Sequence, residues 1–252
     1  MAPTNLHGKV AVITGASRGL GLGLARELAA AGLVLGLCAR TRPVLPPHAR
    51  GIAERVDVGD HRQVSAFARL VHEQLGAIDL WINNAGVLDP IQPVRDVDAD
   101  AFAQLVRVNL LGVMHGTQAY LRSLRERSAA GGVLINISSG AAARAYAGWS
   151  AYCASKAAVE RFTECVQLEE GSAGVRAYAV APGIIDTAMQ AKIRATSAQD
   201  FPAVPRFLAI KQQDAFNTVP FVARQLLEIA FDPSARPEQV VVRLPNEKPL
   251  PP

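Results

Sequence analysis

Residues 9–21 read KVAVITGASRGLG, in which a short apolar run, Val10–Ile13, passes directly into a turn with three glycines. A helix-like stretch follows to Ala31. This order predicts a strand, a glycine-rich turn and the N-terminus of a helix. Glycines permit a tight turn, and the free N–H groups and dipole of the helix attract phosphate. The segment therefore predicts an anion site. Its G-x-x-x-G-x-G spacing differs from the G-x-G-x-x-G of many other dinucleotide-binding folds.

The rest of the chain alternates apolar runs with amphipathic segments. The runs predicted as strands are Val10–Ile13, Val34–Cys38, Ile52–Val56, Leu80–Asn83, Val133–Ile137, Arg176–Ala181 and Val240–Leu244. This alternation predicts an α/β fold with a doubly wound parallel sheet of about seven strands, helices on both faces, and a ligand at the carboxyl ends of the strands. No internal repeat, linker or break in composition divides the 252 residues, so we expect a single domain over residues 1–252.

Ser139, Tyr152 and Lys156 form a second pattern. If Ser150 to about Gln167 is helical, Tyr152 and Lys156 lie on one face, about 5 to 6 Å apart. The lysine ammonium is then expected to lower the phenol pKa from about 10. Such a tyrosine can give a proton to a carbonyl oxygen as hydride reaches the carbon, while Ser139 holds the same oxygen. The alternative is a surface helix that merely carries a tyrosine and a lysine.

Further motifs occur in order along the chain. They are Asp57 after the third run, Asn83-Asn84-Ala85-Gly86 after the fourth, Asn109, Asn136-Ile137-Ser138-Ser139, and Pro182 to Thr187. With the glycine turn and the tyrosine–lysine pair, they make the chain resemble the short-chain dehydrogenase/reductase family over nearly its whole length. The resemblance implies a Rossmann-like fold that binds a nicotinamide cofactor.

The resemblance also implies roles for individual residues. The catalytic residues would be Asn109, Ser139, Tyr152 and Lys156. Lys156 would also hold the nicotinamide ribose, beside Tyr152. Asn109 would kink its helix and hold a water molecule in a proton relay. The remaining cofactor contacts would be Gly15, Ser17, Arg18, Gly19, Leu20 and Gly21 at the pyrophosphate and ribose, Asp57 and Val58 at the adenine, Asn84, Ala85 and Gly86 beneath the adenosine side, and Pro182, Gly183, Ile185 and Thr187 near the carboxamide.

The end of the second strand bears on the choice between NAD and NADP. Ala39 stands where relatives that prefer NAD carry Asp, Arg40 follows it, and Arg18 lies in the glycine turn. A 2′-phosphate is bound by guanidinium groups, whereas a 2′-hydroxyl requires a carboxylate. We therefore expect NADP(H), preferred by at least on the order of a hundredfold. The alternative is that both arginines are simply solvated.

A narrower resemblance begins at Gly148. The segments Gly148–Cys153 and Ala181–Gln190 are similar to the branch that contains sepiapterin reductases and bacterial benzil reductases, and Ala198 to Leu208 is closer to the benzil type. This implies an NADPH-dependent carbonyl reductase that acts on a vicinal dicarbonyl or an aryl ketone. Three alternatives stay open: a sepiapterin reductase, for which Glu247 is a loose candidate as the acidic anchor, an NADP-dependent secondary-alcohol dehydrogenase, and a non-catalytic NADPH-binding regulator.

Residues 188–218 are predicted to form a lid over the substrate. This segment includes Met189, Phe201, Phe207 and Ile210, whose apolar character indicates an apolar or aromatic substrate. The alternative is that these side chains simply pack onto the domain. Trp149, about one helical turn before Tyr152, is predicted to line the substrate pocket together with Met189.

Other features bound the class of protein. The three cysteines show no paired spacing, which predicts reduced and mostly buried thiols, and the five histidines show no metal-ligand spacing, so no metal is expected. The net charge of +4 without a basic run argues against nucleic acid. The stretch Met1–His7 has no apolar core, and no run is long enough to span a membrane. We expect a cytoplasmic homodimer or homotetramer that takes a small carbonyl substrate.

Overall fold

A computed structural model describes residues 6–126 and 131–250. Its centre is one sheet of seven strands in the order β3-β2-β1-β4-β5-β6-β7, and every neighbouring pair is parallel. The strands are β1 Val10–Thr14, β2 Val34–Ala39, β3 Gly51–Arg55, β4 Ile78–Asn83, β5 Gly132–Ile137, β6 Val175–Ala181 and β7 Val241–Arg243. The predicted doubly wound α/β class is confirmed.

Helices connect the strands and cover the sheet. They are α1 Gly19–Ala30, α2 His61–Leu75, α3 Ala99–Val106, α4 Gly112–Glu126, α5 Ser150–Glu170, α6 Ala188–Ala195, α7 Val204–Gln212 and α8 Val219–Phe231. Helices α1 and α8 pack on one face, where their buried side chains join those of the sheet in one apolar cluster. Helices α2 and α4 contribute to the cluster on the other face. The central strands β1 and β2 are buried along their whole length, which explains their continuous apolar sequences.

The strand order creates the crevice that positions the site. The chain runs outward from β1 to β2 and β3, then returns to place β4 on the other side of β1. The connections after β1 and β4 therefore lead to helices on opposite faces of the sheet, and ligands of open α/β sheets bind at such a point, outside the carboxyl ends of the strands. The loops after β5 and β6 open at the same edge, because all strands run in one direction.

A buried polar network fixes the helices behind this edge. The Nδ2 of Asn83 donates to Oδ1 of Asn136 across β4 and β5 at 2.9 Å, and also to Thr117 Oγ1 on α4 at 3.3 Å. The Nδ2 of Asn136 in turn donates to Thr163 Oγ1 on α5 at 2.9 Å. Both α4 and α5 are thus tied to the central strands by satisfied buried hydrogen bonds, which favour a unique arrangement.

The predicted boundaries differ from the observed ones by a few residues. Strand β4 begins at Ile78 rather than Leu80, and β7 covers only Val241–Arg243. Helix α5 continues three residues beyond Gln167. The prediction of mostly buried thiols was wrong, since only Cys38 is buried, whereas Cys153 is half-buried and Cys165 exposed, both on α5.

Within residues 6–126 and 131–250, no helix is both long and apolar enough to cross a membrane. The same residues contain no group of three or more His, Cys, Asp or Glu side chains that could hold a metal ion. The stretch Met1–His7 is predicted from its sequence to lack an apolar core. Its residues 1–5 lie outside the described part of the chain.

Candidate active site

Helix α5 carries Tyr152 and Lys156 to the carboxyl end of β5. Both side chains are buried, with relative exposures of 8% for Tyr152 and 4% for Lys156. The Nζ of Lys156 donates to the carbonyl oxygen of Ile137, the last residue of β5, at 2.7 Å. The same Nζ lies 5.8 Å from the centre of the Tyr152 ring. The predicted helix and the predicted shared face of the two side chains are therefore present.

The pKa of Tyr152 is shifted in the direction opposite to the expected one. Burial raises this pKa above its ordinary value of 10.0, and a hydrogen bond between the Ser139 and Tyr152 side chains only partly opposes the rise. The expectation of a lowered pKa was wrong because it considered the lysine charge and not the removal of the phenol from water. The phenol consequently keeps its proton at neutral pH, which is the form that can donate it.

Burial also weakens the charge of Lys156. Removal from water lowers its pKa from 10.5 to about 8, and the nearby carboxylate of Glu160 acts in the opposite direction. An ammonium buried in this way is held by its bond to Ile137, and its charge is sensitive to every neighbouring charge. Lys156 thus titrates closer to neutral pH than an exposed lysine would.

Asn109 lies where the helix that leads into α4 is interrupted. Residues Arg107–Leu111 form a π-helical turn, in agreement with the predicted kink. The Oδ1 of the fully buried Asn109 accepts from the backbone N–H of Val87 at 2.8 Å, and its Nδ2 donates to the Val87 carbonyl at 2.9 Å and to Ser155 Oγ at 3.3 Å. A side-chain carbon on Gly86 would stand 3.6 Å from Asn109 Oδ1 and 3.9 Å from Lys156 Nζ. Asn109, Gly86 and Lys156 therefore converge.

The glycine turn is packed against the loop that follows β4. The Oγ1 of Thr14 accepts from the backbone N–H groups of Asn84 and Ala85 at 3.0 and 3.1 Å. The Nδ2 of Asn84 donates back to the carbonyl of Thr14 at 2.9 Å. A side chain on Gly15 would stand 2.7 Å from the Ala85 Cα, and one on Gly21 would stand 2.4 Å from the Gly15 carbonyl oxygen. Both glycines are required because only hydrogen fits between these backbones.

The N-terminus of α1 has the features of an anion site. Its N-cap residue, Arg18, makes no capping hydrogen bond through its side chain, and the first turn contains no acidic residue. By contrast, the N-termini of α2 and α3 are capped by the carboxylates of Asp60 and Asp98. The free N–H groups and the dipole of α1 therefore face the crevice without a negative partner from the chain, which fits the pyrophosphate of a dinucleotide.

The charges around the adenosine end of the crevice are mainly positive. Arg18 and Arg40 are exposed, and within residues 6–126 and 131–250 neither forms an ion pair within 4.0 Å. Asp57 is engaged elsewhere, because its Oδ1 accepts from the backbone N–H of Gly59 at 2.9 Å and its Oδ2 lies 3.8 Å from Arg107. Val58 is buried, and His115 Nδ1 lies 2.8 Å from its carbonyl oxygen.

The segment after β6 closes the crevice from the other side. The Thr187 methyl group would lie 3.7 Å from a side-chain carbon on Gly19, so the two predicted cofactor loops face each other. Ile185 is half-buried against the core and Gly183 is exposed. Asn217 holds this segment, since its Nδ2 donates to the carbonyl of Pro182 at 3.0 Å.

The predicted substrate residue Trp149 lies in a buried aromatic cluster. It is 4% exposed, stacks on Phe201 with ring centres 4.3 Å apart, and meets the Tyr152 ring edge-on at 5.5 Å. Phe201, Phe207 and Ile210 are also buried, so the alternative that they pack onto the domain holds for these three residues. Met189 is half-buried against the same cluster.

Glu247 serves the chain itself. Its Oε2 accepts from the backbone N–H of Thr218 at 2.7 Å, and this bond lowers the pKa of the Glu247 carboxyl. Its backbone N–H donates to Asn217 Oδ1 at 2.8 Å. The carboxylate therefore closes the N-terminus of α8.

Sequence reasoning missed Asn217 and Glu160, which position the site, and it named Thr14 only as part of the segment that would cradle the pyrophosphate and ribose. Thr14 orders the loop after β4, Asn217 holds the segment after β6, and Glu160 lies beside Lys156. For Glu160 a signal was present, since it follows Lys156 at the same four-residue spacing as Lys156 follows Tyr152. Thr14 and Asn217 carry no such local signal because their partners are distant in sequence.

Comparisons with known proteins agree with this geometry. The family model described as short chain dehydrogenase matches residues 9–198. A benzil reductase ((S)-benzoin forming) from Bacillus cereus is 33% identical over 246 residues, covering 92% of this chain and 98% of that relative. A galactitol 2-dehydrogenase from Agrobacterium fabrum is 34% identical over 188 residues, covering 72% of each chain. Among solved structures, the crystal structure of KRED1-Pglu superposes with a TM-score of 0.84 at 30% identity, covering 94% of this chain and 100% of that one.

The parallel sheet, the glycine turn and the family match together define an oxidoreductase that acts on CH–OH or C=O groups. More particularly, the chain belongs to the short-chain dehydrogenase/reductase family, in the branch that includes benzil reductases.

Proposed function

We propose that this protein reduces a ketone with NADPH, and that the ketone is a vicinal dicarbonyl or an aryl ketone of the benzil type. The observation that carries the proposal is the buried phenol of Tyr152, whose pKa is raised by its removal from water. It hydrogen-bonds Ser139 and lies beside the Lys156 ammonium, at the edge of the sheet where the glycine turn opens.

The proposed mechanism assigns one task to each side chain. The nicotinamide, when bound, supplies hydride to the carbonyl carbon. Tyr152 donates its proton to the carbonyl oxygen, so that one hydride and one proton convert C=O to CH–OH. Ser139 holds the same oxygen by a hydrogen bond, and Lys156 stabilises the negative charge that forms on the phenol. Asn109 positions this group by tying α4 to the loop at Val87 and to Ser155 on α5.

The proposed cofactor contacts follow the crevice. The N-terminus of α1 receives the pyrophosphate, because it lacks a negative partner from the chain. Arg18 and Arg40 bind the 2′-phosphate, since both are exposed at that end and form no ion pair among the described residues. Thr187 lies opposite Gly19, across the crevice, and would hold the carboxamide of the bound nicotinamide.

The proposed substrate class rests on the aromatic cluster and on one relative. Trp149 meets the ring of Tyr152 edge-on, and Tyr146, Phe201 and Phe207 surround Trp149 in turn. Aromatic walls favour flat apolar substrates. The similarity to a benzil reductase over 92% of this chain supports a diaryl diketone. A pterin is less favoured, because Glu247 is bound to the N-terminus of α8.

A second candidate is the oxidation of a secondary alcohol. The similarity to a galactitol 2-dehydrogenase favours it. The raised pKa of Tyr152 argues for reduction, since oxidation needs a phenolate that accepts a proton.

We also infer a lid and an oligomer. Helices α6 and α7, with the residues up to 218, would form the lid. Helices α4 and α5 would pair with those of a second copy, because Leu111, which directly precedes α4, and Leu168, which lies on α5, are both exposed, Leu168 by 85%.

The decisive experiment follows NADPH oxidation at 340 nm with benzil, 1-phenyl-1,2-propanedione and sepiapterin, and repeats each assay with NADH. We expect turnover of the two diketones and little of sepiapterin. Tyr152→Phe should lower kcat by roughly a hundred- to ten-thousandfold, which is the usual contribution of proton donation by a positioned side chain. Tyr178→Phe, which alters a buried tyrosine on β6 remote from the site, is the matched control and should keep its activity.

Turnover of sepiapterin alone would move the substrate class to pterins. Full activity in Tyr152→Phe would exclude the phenol as the proton donor. If none of the three ketones reacts while a secondary alcohol is oxidised with NADP+, the dehydrogenase is the correct reading.

A further inference from the structure

Glu160 continues a regular series along α5. Tyr152, Lys156 and Glu160 recur at every fourth residue, so they lie in file on one face of the helix. The side chain of Glu160 is only 14% exposed. None of the proposed catalytic steps uses this carboxylate.

Both oxygens of the Glu160 carboxylate are held by neighbouring strands. The Ser138 hydroxyl donates to Oε1 at 2.7 Å, and Nη2 of Arg243 on β7 donates to Oε2 at 3.1 Å. Ser138 directly follows Ile137, whose carbonyl accepts from Lys156. The carboxylate and the ammonium are thus attached to adjacent residues at the end of β5, and neither side chain is free to turn away.

The charged neighbours of Lys156 are few. Helix α5 contributes Tyr152 and Glu160, and the half-buried thiol of Cys153 is directed instead towards the carbonyl of Arg144. From the π-helical turn comes the neutral Asn109, close to Lys156 at Gly86. Arg243 from β7 reaches Glu160 and lies beyond it. Among the residues that the structure describes, Glu160 is therefore the negative group that acts on Lys156, and Arg243 is the positive group that binds Glu160.

We propose that Glu160 is a positioning residue for the active site: its carboxylate, fixed by Ser138 and Arg243, keeps Lys156 protonated. The positive charge of Arg243 moderates this effect from the far side. The importance of a protonated Lys156 for turnover rests on the function proposed above, whereas the electrostatic coupling itself does not. A carboxylate that merely stabilised the fold would not change the titration of Lys156.

The test follows the ionisation of Lys156 by NMR of protein labelled with ¹³C at lysine Cε. The lysines of the chain are Lys9, Lys156, Lys192, Lys211 and Lys248, and only Lys156 is buried. Its signal, assigned by its loss in Lys156→Arg, should titrate with a pKa of about 8. Glu160→Gln should shift the midpoint to lower pH by about one unit, because the stabilising charge is removed. Arg243→Met, at a residue with a half-exposed side chain, should shift it to higher pH.

The pH dependence of diketone reduction should move in the same two directions. As the pH is raised, kcat should begin to fall at a lower pH in Glu160→Gln than in the wild type, and at a higher pH in Arg243→Met. An unchanged midpoint in Glu160→Gln, or shifts of the same sign in both variants, would overturn the proposal. If Glu160→Gln does not fold, Arg243→Met alone decides, since a midpoint that stays or falls contradicts the coupling. If the wild type reduces no diketone while the Lys156 midpoint moves as expected in both variants, the proposed function is contradicted and the role of Glu160 stands.

Discussion

Burial acts on Tyr152 and Lys156 in different ways. Both groups are removed from water, and in each case the neutral form is favoured, so the phenol holds its proton while the ammonium tends to lose one. For a reductase the first effect is useful, because the proton to be donated is present at neutral pH. The second effect has to be opposed, and the carboxylate of Glu160 opposes it.

At the same scale, Arg40 is expected to decide the choice of cofactor. In Arg40→Asp, we expect kcat/KM for NADPH to fall by roughly ten- to a hundredfold, since a charge-assisted hydrogen bond is worth about 1.5 to 3 kcal/mol. The new carboxylate also repels the 2′-phosphate, whereas NADH should be used at least as well as before. Steady-state rates with both cofactors measure the ratio.

The control for this prediction is Arg69→Asp, at an exposed arginine of α2. It makes the same change of charge and should leave the ratio between NADPH and NADH as it is. An unaltered ratio in Arg40→Asp would show that Arg40 is only solvated.

Helix α5 shows how one element gathers the site. Its sequence predicted a helix and the shared face of Tyr152 and Lys156, because the four-residue spacing is a local property. The same spacing did not reveal the direction of the tyrosine pKa shift, since that depends on the burial of the phenol, to which the ring of Trp149 contributes. Local periodicity thus identifies the residues, and packing sets their chemistry.

The proposed lid is fastened by one carboxylate. Asp186 accepts from Arg194 on α6 at 3.2 Å and from Lys211 on α7 at 2.7 Å, and both bonds contribute to lowering its pKa. Each half-exposed pair of this kind is worth about 0 to 1 kcal/mol. Asp186→Asn should therefore raise KM for the ketone by about three- to tenfold and leave the affinity for NADPH nearly unchanged.

Steady-state kinetics and NADPH fluorescence titration distinguish these two effects. Asp96→Asn, which breaks the exposed pair with Arg95, is the matched control. An equal rise of KM in both variants would show that the clamp at Asp186 has no special importance for the lid.

At the scale of the whole molecule, the destabilisation caused by burying the charged Lys156 should appear in the pH dependence of stability. Unfolded chains hold the lysine proton up to a pH of about 10.5, whereas the native protein releases it near 8. Between these values the unfolded state binds more protons, so native stability rises with pH. Relative to Lys156→Met, the wild type should gain about 2 kcal/mol between pH 7 and pH 10, at about 1.4 kcal/mol per pKa unit.

Thermal unfolding of both proteins across this range measures the gain, which corresponds to a relative rise in Tm of about 4 to 8 °C for a chain of this size. Lys156→Arg, which cannot lose its charge, is the control and should show no such gain. A constant difference in Tm between wild type and Lys156→Met would mean that Lys156 is not destabilised by burial.

The amino-acid sequence by itself determined the parallel sheet, the glycine turn and the tyrosine–lysine pair. These features are local, since strand periodicity, the spacing of glycines and the turn of a helix depend on near neighbours along the chain. The sequence also identified Gly15 and Gly21 as parts of the turn. It did not show which backbone atoms exclude a side chain at these two positions.

Only the tertiary structure decided which groups control one another. Asn83 and Asn136 bind across two strands, Glu247 closes α8 instead of facing a substrate, and Ser138 and Arg243 hold the Glu160 carboxylate that acts on the pKa of Lys156. Their partners are tens of residues away, and the strength of each contact depends on how completely water is excluded. Desolvation is a property of the packed molecule, so neither the direction of the Tyr152 pKa shift nor the charge of Lys156 follows from spacing along the chain.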